Sequence, residues 1–175
     1  MNDTHAVAAK GLKYMFIGEI LCIFSFIPVV GAVLSVIGLV LILIGLYTAG
    51  KSHVNMHTAF IVTIVSLVVG IIAIFLSPLE IVSTILDLVV TYLVCHAICD
   101  LLRDKGDNQL ANKSLSVWKM YLVCTILVLI FQILSLIPIL GLFAMVAMVI
   151  AAIILIIACI RYLILLYKSY HSLQA

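Results

Sequence analysis

Apolar residues run almost unbroken through six segments, 12–27, 29–49, 58–76, 79–102, 115–137 and 139–160, and the polar residues collect between them. Strands of a transmembrane barrel alternate apolar and polar positions, whereas these runs are continuous, so the pattern predicts helices. A bilayer core of about 30 Å needs about 20 apolar residues in a helix, and five of the segments meet that length within the usual scatter. The first, 12–27, is near the lower limit. Either Lys10 and Lys13 snorkel or the helix begins earlier, within Ala6–Ala9.

Prolines at 28, 78 and 138 divide the segments into pairs. Proline lacks the N–H of an interior helical bond and turns its predecessor away from the α region. A single helix over 12–49 would be about 57 Å long, nearly twice a bilayer core, so the chain must turn at Pro28. The expected fold is all-α: one transmembrane domain over 1–175, with six helices in three proline-tipped hairpins and an interfacial tail at 161–175. The tips Phe26-Ile27-Pro28-Val29-Val30-Gly31 and Leu136-Ile137-Pro138-Ile139-Leu140-Gly141 share a grammar, which predicts that hairpins one and three are a parallel internal repeat. The middle tip differs. Ser77-Pro78-Leu79-Glu80 reads as a helix start, Ser77 the N-cap and Glu80 closing a capping box.

Charge then orients the bundle. The nine Lys and Arg residues, at 10, 13, 51, 103, 105, 113, 119, 161 and 168, all avoid the proline tips. Basic residues stay on the cytoplasmic side, which places both termini there. Only 9% of residues are charged, against about 25% in soluble domains. The basic residues are dispersed over loops and helix ends, so no nucleic-acid stripe forms. Continuation of the apolar sequence directly after Pro28 argues that the first helix is retained rather than cleaved as a signal. Tyr14, Tyr47, Trp118, Tyr121, Tyr162, Tyr167 and Tyr170 lie towards the basic side as an interfacial belt. Gly106 is the expected stop of the fourth helix.

Small residues recur at seven-residue spacing, Gly31, Gly38 and Gly45 in the second helix and Ala144, Ala151 and Ala158 in the sixth, which predicts close-packing seams and places these two helices near the bundle axis. Polar residues inside the apolar runs are few. Asp87 lies about 13 Å from the outer end of the fourth helix, near the bilayer midplane. Glu80, Ser83, Thr84, Asp87, Thr91 and Cys95 form one stripe on that helix, Glu19 reaches a similar depth in the first, and Gln132 adds a polar group in the fifth. These groups serve either as hydrogen-bonded glue between helices or as a path for a cation or proton through Glu19, Asp87, Thr91 and Gln132.

Cys95-His96-x-x-Cys99-Asp100 has metal-ligand chemistry, but 95/99 and 96/100 project from different flanks, so one ion does not collect all four; no metal or cofactor is expected. The five cysteines form no CxxC pair and read as small apolar residues. No nucleophile elbow, phosphate-binding loop or metalloprotease motif occurs, so no catalytic residue is assigned and the chain reads as non-enzymatic.

The tip Phe26-Ile27-Pro28-Val29-Val30-Gly31, followed by a Gly/Ile/Val/Leu helix ending in Gly45-Leu46-Tyr47, resembles small multi-pass membrane proteins of unknown function from bacteria and archaea. The resemblance covers the first hairpin well and the third in part, and implies a prokaryotic cytoplasmic (inner) membrane. The leading expectation is a structural or accessory membrane component whose partners are the bilayer, further copies of itself or other membrane proteins. The second is a small cation- or proton-coupled transporter or channel. The third is a membrane-shaping hairpin protein. In a cysteine-free background, a single cysteine at Val30 or Ile139 is expected to react with an impermeant thiol reagent added outside; protection of both would reject six full crossings.

Overall fold

The computed structural model describes residues 3–24, 27, 30–76, 79–135 and 141–174, with backbone alone at 135, 141–148 and 152. The three prolines, Ser77 and most of the two repeated tips lie outside the described residues. Among those described there are six helices and no strand: α1 Asp3–Ile23, α2 Val30–Gly50, α3 Val54–Ala73, α4 Leu79–Asp104, α5 Asn108–Ser135 and α6 Gly141–Gln174.

The helices form a closed ring, each packing on its neighbours in sequence and α1 closing on α6. Consecutive helices are antiparallel. Gly11 lies against Gly45 and Ala49 while Gly18 lies against Gly38, Ser66 of α3 reaches Asp87 of α4, Ser114 of α5 reaches the Cys95 carbonyl of α4, and Phe16 of α1 meets Tyr167 of α6 at 5.5 Å. This arrangement brings the 50–53 and 104–107 connections to one end, together with the start of α1 and the end of α6. Helices α2 and α6, expected near the axis, take ordinary places in the ring.

Five helices, α2 to α6, are long and apolar enough to cross a membrane. The outer surface agrees: Val33, Val36 and Val40 of α2, Ile61, Ile64 and Val68 of α3 and Ile153, Ile156 and Ile160 of α6 are all exposed. Such apolar ladders on every side need lipid to cover them. Helix α1, the least apolar of the six, carries Asp3, Lys10, Lys13 and Glu19.

Several boundaries move outward at the polar end. Helix α1 starts at Asp3, before even the alternative start within Ala6–Ala9, because Ala8, Ala9 and Leu12 are fully buried there. Residues 161–174, expected as an interfacial tail, instead continue α6, since Leu165, Leu166 and Leu173 pack into the same cluster. At 34 residues, α6 is about 51 Å long. The core therefore concentrates at this end, around Leu12, Met15, Leu46, Met56, Ile98, Leu102 and Leu166.

The connections there are capped by named groups. Gly106, at φ 91°, ends α4: its N–H donates to the Arg103 carbonyl and the Asp107 N–H to the Leu102 carbonyl, the double bond of a glycine-terminated helix. Asp107 Oδ1 accepts from the Leu110 N–H and Oδ2 from the Ser172 hydroxyl, tying the start of α5 to the end of α6. His53 caps α3, its Nδ1 accepting from the Asn55 N–H, while Nε2 lies 3.5 Å from Asp100.

A Cβ at Gly38 would lie 2.6 Å from the Gly18 carbonyl oxygen, and one at Gly11 2.6 Å from that of Gly45. Backbone cannot step aside as a side chain can. Gly38→Ala and Gly11→Ala are expected to lose about 1–3 kcal/mol of stability, read as a lowered thermal midpoint in detergent, whereas Gly70→Ala, with only Ser83 Oγ at 3.6 Å, should be near neutral.

Candidate functional site

Above the polar-end core the ring encloses a cavity of about 380 Å³ to which every helix contributes. Glu19 and Cys22 come from α1, Leu39 from α2, Thr63 from α3, Asp87 and Thr91 from α4, Tyr121 from α5, and Cys159 and Tyr162 from α6. Its floor, at Met15, Leu46 and Tyr162, belongs to or borders the buried cluster, so the cavity is closed towards the basic end. A second space of about 210 Å³ between α4, α5 and α6 shares Asp87 and Tyr121 with the first.

Local sequence explains the placement. Glu19 follows Gly18, whose contact with Gly38 fixes the rotation of α1 and turns position 19 away from the seam into the ring. Asp87 is anchored from the neighbouring helix: Ser66 Oγ donates to Oδ1 at 2.6 Å, and Thr91 Oγ1 donates to the Asp87 carbonyl at 3.0 Å. One carboxylate oxygen of Asp87 is thus held, while the residue retains exposed surface facing the two cavities. Glu19 makes no hydrogen bond among the described residues and lies within electrostatic range of Asp87, Tyr121 and Tyr162.

Of the expected pathway residues, Glu19, Asp87 and Thr91 are brought together around the central cavity. Gln132, two turns beyond Thr125 on α5, lines neither space. The polar stripe of α4 divides by depth. Glu80 is exposed, Ser83 is the side chain nearest Gly70, Thr84 lines the second space and Cys95 is buried in the core. Gly31, Gly38 and Gly45 are buried, the last two against α1, Ala151 and Ala158 are buried on α6, and the side chain of Ala144 lies outside the described residues.

One expectation changes. Tyr121 and Tyr162 line the cavity instead of sitting in an outer belt, and Tyr162 is only 9% exposed. Arg161 directly precedes Tyr162 at the cavity floor, but its side chain is exposed on a different face, and no Lys or Arg lines the cavity among the described residues. Sequence reasoning also missed Gly11 and Gly18, although their seven-residue spacing repeats that of Gly38 and Gly45. Thr63, Ser66, Cys22 and Cys159 gave no signal, since each is unremarkable within its own apolar run.

The Cys95–Asp100 constellation separates. Cys95 and Cys99 are buried, His96 packs on Tyr92 at 4.2 Å and Asp100 faces His53. No group of three or more His, Cys, Asp or Glu side chains able to hold a metal occurs among the described residues, and all five cysteines are free thiols.

Comparison of the chain with protein-family models, with curated proteins and with solved structures finds no match. The geometry of the site therefore carries the functional argument alone. Ser66→Ala is expected to lower stability by about 1.5–3 kcal/mol, the worth of a hydrogen bond to a charged group, or by about 1 kcal/mol where the acid is neutral; the shift in thermal midpoint measures it, and no change would show that the Ser66–Asp87 contact contributes nothing.

Proposed function

We propose that this protein is a small non-enzymatic carrier of the cytoplasmic membrane that binds an organic cation between Glu19 and Asp87 and exchanges it for protons. The observation that supports this reading is the central cavity, built from all six helices around two carboxyl groups with no Lys, Arg or His among its described lining residues. Acids at membrane depth are costly and mark ion or proton routes.

The wall chemistry narrows the cargo. Its volume of about 380 Å³ falls within the range of about 300–1,000 Å³ usual for small-molecule sites. Met15, Leu39, Ile42, Leu46, Val90 and Leu163 surround the polar groups with hydrocarbon. A bare divalent ion needs six or more oxygen ligands, which such walls do not supply. A cation carrying its own apolar substituents satisfies both parts of the lining, with Tyr121 and Tyr162 offering ring faces to the positive charge. When the cation enters, Glu19 or Asp87 gives up a proton and becomes its counter-ion.

In this reading α1 spans the membrane alongside α2 to α6 as the sixth crossing. The basic end is cytoplasmic by the distribution of Lys and Arg, and the proline tips of the three hairpins face outward, the first and third as parallel repeats. The core beneath the floor then closes the cytoplasmic route, leaving the site in an outward-directed state.

A structural or accessory role is the second reading, favoured by the Ser66–Asp87 bond. In that case Asp87 is glue between α3 and α4. Reconstituted vesicles separate the two. With an imposed proton gradient, tetraethylammonium uptake is expected in wild type and should fall at least about tenfold in Asp87→Asn and Glu19→Gln. Asparagine keeps an oxygen that accepts from Ser66, so Asp87→Asn should stay folded. Absence of wild-type flux under any gradient would sink the carrier reading and leave the structural one.

A further inference from the structure

A second site lies on the outside of the ring, independent of the central cavity. Between α5 and α6 runs a groove of about 180 Å³, lined by Lys113 and Ser116 of α5 and by Arg161 and Lys168 of α6 over a floor that includes Val117 and Leu165. The three cations and the serine are exposed, Leu165 is 3% exposed and Val117 8%. Three positive charges thus share one small depression with a hydroxyl and an apolar base, and the lining contains no carboxylate.

These charges have no partner in the protein. Among the described residues, none of Lys113, Arg161 and Lys168 forms an ion pair. Asp104 and Asp107 sit near this end of the bundle, but Asp107 is engaged by Leu110 and Ser172. Like charges gathered without an acid repel one another, so the cluster is stabilised only when an anion joins it.

The position of the groove says which anion. Arg161 occupies the turn beside Tyr162, which lines the central cavity, and is flanked on α6 by the exposed Ile160 and Ile164. Lys168 lies seven residues further along, about 10 Å towards the polar end. The groove therefore runs from the apolar outer surface of the ring to its polar end. A free ion in water has no reason to descend beside isoleucines, whereas a phospholipid carries its phosphate at the foot of this gradient and its chains along it.

We infer that the α5–α6 groove binds the headgroup of an anionic phospholipid. Arg161 offers a planar fork that grips two phosphate oxygens at once, Lys113 and Lys168 add point charges nearer the aqueous side, and Ser116 donates or accepts one hydrogen bond. The acyl chains lie against Ile153, Ile157 and Ile160, which are 56%, 49% and 49% exposed. Basic pockets between transmembrane helices recognise anionic headgroups by this combination.

Native mass spectrometry of the full chain, released from detergent containing equal amounts of phosphatidylglycerol and phosphatidylcholine with identical chains, tests the inference. The expected result is a retained lipid enriched at least about tenfold in phosphatidylglycerol. The enrichment should vanish in Lys113→Gln/Arg161→Gln/Lys168→Gln and persist in Lys10→Gln/Lys13→Gln/Lys51→Gln, which removes the same charge elsewhere. If the first triple variant does not fold, the single change Arg161→Gln carries the test, with Arg161→Lys expected to restore part of the enrichment. Equal retention of the two lipids, equal loss in both triple variants, or displacement of the lipid by millimolar inorganic phosphate would each overturn the assignment.

Discussion

The structure depends on how closely two backbones approach. Helix α1 is the least apolar of the six, carrying Lys10, Lys13 and Glu19, and hydrophobicity alone holds it poorly in a bilayer. Its place is set by contact with α2, where Gly11 faces Gly45 and Gly18 faces Gly38 with no room for a single Cβ at any of the four. Inside lipid there is little hydrophobic force between helices, so dispersion over such flush surfaces must supply the attraction. The same contact fixes the rotation of α1. Glu19 enters the ring because its neighbour is pinned against α2.

From that placement the asymmetry of the bundle follows. Large apolar side chains fill the polar-end half, with Leu12, Met15, Ile98, Leu102 and Leu166 almost free of solvent. Beyond Met15 and Tyr162 the interior changes to small and polar groups, Cys22, Thr63, Thr91 and Cys159, which leave space instead of filling it. Polar groups inside a membrane protein must face protein or water, and here two acids face a void while one of them is also held by Ser66. The cavity is thus a property of side-chain size along the axis, with the backbone ring continuous around it.

Segments that depend on unbroken hydrophobicity were legible in the sequence. The stop at Gly106 was too, because a left-handed residue has few alternatives to glycine. Lengths failed where helices leave the hydrocarbon. Residues 161–174 look interfacial by composition, yet Leu165, Leu166 and Leu173 recur on one face and bury against α1, α4 and α5. The shared level of Asp87 and Glu19 was readable, since counting residues from the tips gives it. Direction around the helix was not. Tyr121 and Tyr162 have the composition of a membrane belt, and only the register between helices turns them inward. The seven-residue spacing of Gly11 and Gly18 acquires its meaning only beside Gly45 and Gly38.

The closing contact of the ring joins its first and last helices. Phe16 of α1 meets both Tyr167 and Tyr170 of α6, and the cavity wall at Cys159 and Tyr162 stands opposite Glu19. Ribosomal synthesis delivers α6 only after the four helices that separate it from α1. While α3, α4 and α5 are being made, α1 has the glycine face of α2 as its only neighbour from the finished ring, and Glu19 has lipid or translocon where its far wall will stand. The enclosure around that acid is therefore complete only when α6 arrives.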